Sequence, residues 1–184
     1  MRKTLVAHFA DWIDKAENLI PIKEKGIFYP TKEQIISLHD FLINKFRSEG
    51  ERNVFPGILH DGDLDFVCIR WYEDKSENKW EDIIYKGARI FNLFLEDGHP
   101  FVDGNKRTGF VTLWIFLKIN NFDVKFGYLN YQIHYRKIKD WADAGKDTDN
   151  IKEIMRWIIK NETFYQKIKR CITNFWIKIR NLNF

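Results

Sequence analysis

Cysteine is scarce in this chain, with two in 184 residues. Cys68 and Cys171 stand far apart and form no Cys-x-x-Cys pair, so neither a disulfide framework nor a cysteine-based metal site is expected. Both fall on apolar helical patterns and read as small buried hydrophobes. Long apolar runs are also missing. The longest largely apolar stretch, Phe110 to Leu117, is far too short to span a bilayer. Charged residues return by Asp11, before any signal-peptide core can form. The expected location is therefore cytoplasmic and reducing, without membrane contact. Neither G-x-x-x-x-G-K-[ST] nor G-x-G-x-x-G occurs, which removes the common nucleotide-binding loops. No internal repeat or low-complexity segment is present. The excess of basic over acidic residues is small, 30 against 26, so charge alone favours no partner class.

Aromatic residues, by contrast, are plentiful: 16 Phe, 7 Trp and 7 Tyr. They supply large buried areas, and a chain of this length suits one domain with a dense core. Most of the sequence carries helical periodicity. Leu5, Phe9, Trp12, Ala16 and Ile20 share one face of a first amphipathic helix. Pro21 to Pro30 reads as a connector. Thr31 and Gln34 form a capping box for a second helix whose core stripe is Ile35, Leu38, Leu42 and Phe46. Val54 to Asp65 holds Pro56, Gly57 and Gly62, and reads as a loop or short hairpin. Asp63 is placed to cap a brief helix after it. A further helix has Ile84, Ala88, Phe91 and Leu95 inside and a stop near Gly98.

From Asn105 to Ile119 the pattern is apolar on nearly every side, as befits a helix buried in the middle of a bundle. A buried parallel strand fits the composition, but the length favours helix. Asn120 and Asn121 end it. Further helices are expected over Tyr131 to Asp143, from an Asn150 cap onward, and over Phe164 to Leu182. The fold class is an all-α single-domain helical bundle around a buried central helix, with at most a short β-hairpin around Val54 to Asp65. Residues 1–27 are a leading helix and connector, 28–160 the central domain, and 161–184 an amphipathic basic helix.

The chemistry concentrates in His99-Pro100-Phe101-Val102-Asp103-Gly104-Asn105-Lys106-Arg107, which joins two helices. His99 is suited to act as a general base near neutral pH. Phe101 would pin the loop to the core. Asp103 is a hard oxygen ligand of the kind that holds Mg²⁺ against phosphates. Gly104 lets backbone approach a ligand. Asn105, Lys106 and Arg107 occupy a helix N-terminus, where free N–H groups, the helix dipole and two cations attract anions. Base, metal ligand and phosphate cradle within nine residues point to phosphate chemistry.

This run resembles the signature of the Fic/Doc (Fido) family, HPFx[D/E]GN[G/K]R. The resemblance implies an all-α enzyme that uses Mg²⁺-ATP to transfer AMP, another nucleotide or phosphate to a protein hydroxyl. It implies that His99 deprotonates the acceptor, that Asp103 holds Mg²⁺, and that Gly104, Asn105 and Arg107 bind the phosphates. Phe101 and Lys106 are grouped with these as candidate ATP-site residues. Pro30 to Ile43 resembles the helix that opens Doc-like proteins, and Gly57 to Leu64 resembles their G-I-R-D-x-G-x-L segment, near where target peptides dock. Fic AMP-transferases usually carry Gly where Lys106 stands and a second Arg where Phe110 stands. Doc, which resembles a kinase, has Asn-Lys-Arg-Thr-Ala, close to Asn105-Lys106-Arg107-Thr108-Gly109, whereas Pro100 and Gly104 are Fic-like. A cation at 106 tips the expectation toward phosphate transfer, with AMP transfer as the alternative. No [S/T]-x-x-x-E-[G/N] segment fits an internal inhibitory helix, so the resemblance points to a separate antitoxin chain restraining a toxin.

Competing readings attach to other residues. A catalytically inactive Fido protein that only binds partners is the alternative to an enzyme. His8, His39, His60 and His134 read as surface or satisfied core histidines. Asp61 to Asp65 superficially looks like a calcium loop, but Phe66 and Tyr72 stand where Gly and Glu are needed. The C-terminal stripe of Tyr165, Ile168, Ile172, Phe175, Ile179 and Leu182 is expected to pack on its own domain. A homo-oligomer seam or a partner dock are the sharper alternatives, and nucleic acid is disfavoured because these aromatics face the seam.

Overall fold

The computed structural model describes residues 22–48, 50–51, 53–69, 78–95, 99–125, 137, 139–141 and 147–182. The expected helix from Leu5 to Ile20, the stop at Gly98 and most of the helix expected over Tyr131 to Asp143 lie outside the described residues. Among the described residues these elements follow in order: β1 (Ile22–Glu24), β2 (Ile27–Tyr29), α1 (Lys32–Ser48), α2 (Asp61–Ile69), α3 (Lys79–Leu95), α4 (Asn105–Ile119), α5 (Asp147–Asn161) and α6 (Phe164–Leu182). The architecture is all-α, with one two-stranded hairpin.

That hairpin is not where the turn residues suggested. It lies in the stretch read as a connector, where Ile22 pairs with Tyr29 and Glu24 with Ile27 in antiparallel register. Lys25 and Gly26 turn the chain, both at positive φ (47° and 77°), which matches the right-handed twist of the flanking strands. Asn120, just past α4, fastens the hairpin. Its Oδ1 accepts from the Phe28 N–H at 2.9 Å, and its Nδ2 donates to the carbonyls of Phe28 and Phe116, each at 2.8 Å. The buried Tyr29 ring then packs against Phe116 of α4.

The capping box of α1 forms as read: Thr31 N–H donates to Gln34 Oε1 at 2.7 Å, and Gln34 N–H to Thr31 Oγ1 at 3.2 Å. α2 begins at Asp61, two residues before the expected cap. α5 begins at Asp147 rather than after Asn150. Asn150 is buried inside it and donates from Nδ2 to the Trp141 carbonyl, so tertiary packing claims the side chain that a cap would use.

Helix α4 is central, with the boundaries its all-round apolar pattern predicts. On one side it meets α3, and the two share a large apolar cluster with β2 and α5. On the other it meets α1, where Leu38, Leu42, Ile43 and Phe46 close on Val111 and Ile115. Gly109 permits the α3–α4 approach, because a methyl there would overlap Cβ of Phe94. Gly87 does the same from α3, against Leu113. Lys86 of α3 is buried under the hairpin, paired with Asp82 at 3.1 Å and donating to the Tyr29 hydroxyl at 3.0 Å.

α6 departs from expectation. Its polar face meets the body, and Phe164, Tyr165, Ile168, Ile172 and Phe175 are exposed. Cys171, read as buried, is exposed on the same helix, while Cys68 is half-buried and burial pushes its thiol up to about 11. No described helix is long and apolar enough to cross a membrane.

Candidate active site

The loop from His99 to Gly104 runs between α3 and α4, and three sets of contacts hold it. The first is internal. Phe101 N–H donates to Asn105 Oδ1 at 3.0 Å, and Asn105 Nδ2 returns a bond to the Phe101 carbonyl at 2.7 Å. One side-chain amide thus satisfies both backbone groups of a buried residue, which would otherwise be costly to desolvate. Asn105 is itself buried and commits its side chain to loop shape.

The second set is apolar. The Phe101 ring is wholly buried, stacked on His39 with centroids 3.8 Å apart and planes within 5°. Phe94 lies parallel on it at 6.4 Å. His39 Nδ1 in turn shares a hydrogen bond of 3.2 Å with Thr108 Oγ1 of α4, so one imidazole ties α1, the loop and α4 together. Its Nε2 has no hydrogen-bond partner among the described residues. Burial holds its pKa below the usual histidine value, with Asp40 and Asp103 pulling the other way. The neutral ring is thus favoured.

The third set is a ladder. Ile58 and Phe101 form an antiparallel bridge. Val102 N–H donates to the Gly57 carbonyl at 3.0 Å, and Leu59 N–H to the Pro100 carbonyl at 2.7 Å. The segment before α2 therefore runs alongside the loop, and Phe55, Ile58, Leu59 and Val102 present exposed apolar surface there.

At the far end of the loop α4 begins. Gly104 is its N-cap in the left-handed region (φ 75°, ψ 7°), and no side chain caps the helix. The first helical bond is Thr108 N–H to the Gly104 carbonyl at 2.9 Å, so the amides of Asn105, Lys106 and Arg107 head a helix with its dipole uncompensated by any acidic residue in the first turn. A side chain at 104 would meet Ile43 at 3.2 Å as well as strain the backbone. Asp103 is half-exposed, and its Oδ1 accepts from the Gly104 N–H. Among the described residues no group of three or more metal-binding side chains occurs.

The sequence-predicted site residues thus form one contiguous loop and helix start. His99 is exposed at one end, and Lys106 is half-exposed at the other. Arg107 is engaged: its guanidinium lies 4.1 Å over the Phe46 ring and pairs with Glu51 at 2.8 Å. Reading the sequence missed three participants, His39, Thr108 and Glu51. The first two had a signal, since His39 lies four residues after Ile35 on the core stripe of α1 and Thr108 lies on the first turn of a buried helix. Glu51, in the turn after α1, had none.

No curated protein and no solved structure matched the chain on comparison. A family model did: residues 29–117 match the Fic/DOC family. The matched stretch runs from the last residue of β2 to near the end of α4 and includes the whole loop.

Proposed function

We propose that the protein is a Fic/Doc-type transferase that uses Mg²⁺-ATP to modify a hydroxyl on another protein, by phosphate transfer, with AMP transfer as the alternative. The observation that carries this reading is the uncapped, left-handed start of α4 at Gly104, lying within nine residues of an exposed imidazole and a half-exposed carboxylate in the Fic/DOC segment. Such a terminus offers N–H groups and positive potential to a polyphosphate. Lys106 and Arg107 add charge on the first turn. Phe101 and Asn105 act by holding the loop in the shape that brings the amides together. His99 takes the proton of the acceptor hydroxyl as its oxygen attacks phosphorus. For attack at the γ-phosphorus the bond to ADP breaks, and for attack at the α-phosphorus the bond to pyrophosphate breaks.

The single loop carboxylate, Asp103, suffices for Mg²⁺, which prefers one or two protein carboxylates with waters and substrate phosphates over an all-protein cage. Asp103 would hold it, and the ion would neutralise phosphate charge. The exposed apolar residues Phe55, Ile58, Leu59 and Val102 beside the loop would receive the target segment. Restraint falls to a separate antitoxin chain in this reading, the protein being the toxin of the pair.

One observation favours a second reading, a catalytically inactive interaction module: Arg107 is already paired with Glu51. Incubation with target lysate and ATP labelled at the α or the γ position separates these. Label on protein from γ alone supports phosphate transfer, and from α supports AMP transfer. His99→Ala should abolish either. No transfer from either position, with no Mg²⁺-ATP binding by calorimetry, would leave the interaction module.

A further inference from the structure

Helix α6 faces the wrong way for a helix that packs on its own body. Its contacts with the domain are polar. Gln166 Nε2 donates to the Asn121 carbonyl, Arg170 pairs with the buried Glu162 at 3.1 Å, and Asn78 Nδ2 donates to Asn174 Oδ1 at 2.7 Å. Lys169 lies over the Trp80 ring at 5.2 Å. The apolar side chains are on the other side. At about 3.6 residues per turn, Phe164, Ile168, Ile172 and Phe175 fall on one stripe, and Gln166, Arg170 and Asn174 fall opposite it. Phe164 is 76% exposed and Phe175 61%, so the stripe is open to solvent.

We propose that this face rests on a lipid surface bearing anionic headgroups, with α6 lying in the plane of the interface. Three observations carry the assignment. The first is the arrangement of charge. α6 carries Lys167, Lys169, Arg170, Lys178 and Arg180 and no acidic residue. The exposed Lys167 and Lys178 edge the apolar stripe on one side, and the half-buried Lys169 edges it on the other. An apolar centre with basic margins lets a helix sink one side among acyl chains while its ammonium groups reach the headgroup phosphates. The second is shape. The stripe is turned away from the contacts with the body, so it presents a ridge. A fluid lipid surface takes a ridge of any outline, whereas a protein partner must supply a groove that fits it. The third is side-chain type. Phe164, Tyr165 and Phe175 are exposed rings, and aromatic residues favour the boundary between water and hydrocarbon.

A second copy of the chain is the competing occupant. Two α6 helices set face to face, in either direction, would bring basic margin against basic margin, because neither has an acidic residue to offer. The lack of a spanning run, from which no membrane contact was expected, does not bear on a helix that lies in the interface.

Flotation of the full chain with vesicles of phosphatidylcholine, alone or with about a third phosphatidylserine, tests the proposal. The chain should float with the anionic vesicles at low salt, and about tenfold less with neutral vesicles or at high salt. Cys171, exposed at the margin of the stripe, reports the site. Anionic vesicles should slow its alkylation by iodoacetamide, followed by mass spectrometry, about fivefold or more. The half-buried Cys68, its thiol pushed up to about 11, should stay slow throughout and so report an intact domain. Ile172→Asp with Phe175→Asp should abolish flotation, and Lys167→Gln with Lys178→Gln should weaken it about tenfold. All four side chains are exposed, so both variants should keep the thermal unfolding of the parent. Absence of flotation, or equal flotation of parent and folded variants, overturns the proposal. Flotation that leaves Cys171 unprotected places the lipid contact on another face and overturns it too. Protection present without vesicles and lost on dilution assigns the face to a second copy, with the same result.

Discussion

Arg107 is held by the fold at the start of α4, where the proposed chemistry would call on it. Its guanidinium is stacked on Phe46 and paired with Glu51, with about a quarter of the Arg side chain and nearly half of the Glu side chain open to solvent. A pair so exposed is worth roughly 0.2–1 kcal/mol, which sets the scale of its competition with a phosphate. Glu51→Gln should tighten Mg²⁺-ATP binding by about two- to fivefold in calorimetry, since 1.4 kcal/mol corresponds to a factor of ten. An unchanged or weaker affinity would separate Arg107 from the phosphate site. His39 behaves differently because it is buried and its pKa is lowered. As pH falls below the ordinary value of 6.5, the unfolded chain takes up a proton that the folded chain resists, so stability declines until the lowered value is passed. Titratable groups facing it are Asp40 and Asp103, and both moderate the effect. Urea denaturation at pH 7.5 and 5.5 should show a larger loss in the parent than in His39→Gln. Equal losses would place the slope on other histidines. The placement of His99 and Asp103 on one loop was legible because both stand in a short run between two helical patterns. Glu51 was not legible, and His39 was legible only as a residue on the core side of α1, because both act through contacts between elements far apart in the chain.

At the level of elements, one asparagine holds the backbone of β2 to the end of α4. Asn120 makes three bonds to backbone groups, two of them on Phe28. Asn120→Ala would leave the part-buried amide and carbonyl of Phe28 without this partner, at a cost of about 2 kcal/mol. Thermal unfolding should then fall by roughly 4–8 °C for a chain of this size. Its neighbour makes the control. Asn121 sits at φ 60°, a conformation glycine adopts without strain, so Asn121→Gly should change stability little. A similar loss in both variants would mean that the turn, rather than the Asn120 side chain, carries the effect. The hairpin escaped the sequence pattern for a plain reason. Its strands have three residues each, its turn uses Lys25 at positive φ, and its flanking prolines suggest a connector. α4 could be read to the residue because an all-round apolar run ending in Asn-Asn admits few alternatives. For α6 the periodicity gave the limits correctly but not the facing, since orientation depends on which body groups offer hydrogen bonds, as Asn121, Glu162 and Asn78 do.

For the molecule as a whole, both apolar clusters draw on α1 and α4, one extending toward α3 and α5 and the other closing between α1 and α4. The loop before α4 sits where these clusters come together, and it is braced by Asn105 from within, by His39 and Phe94 from beneath, and by the Gly57–Leu59 segment alongside. A loop held on three sides has little freedom left to lose when a ligand arrives, so ordering it adds little to the cost of binding. It serves as a mould rather than a lid: a ligand must match the shape already cast there, and any opening and closing that turnover requires has to come from parts of the chain that do not touch it.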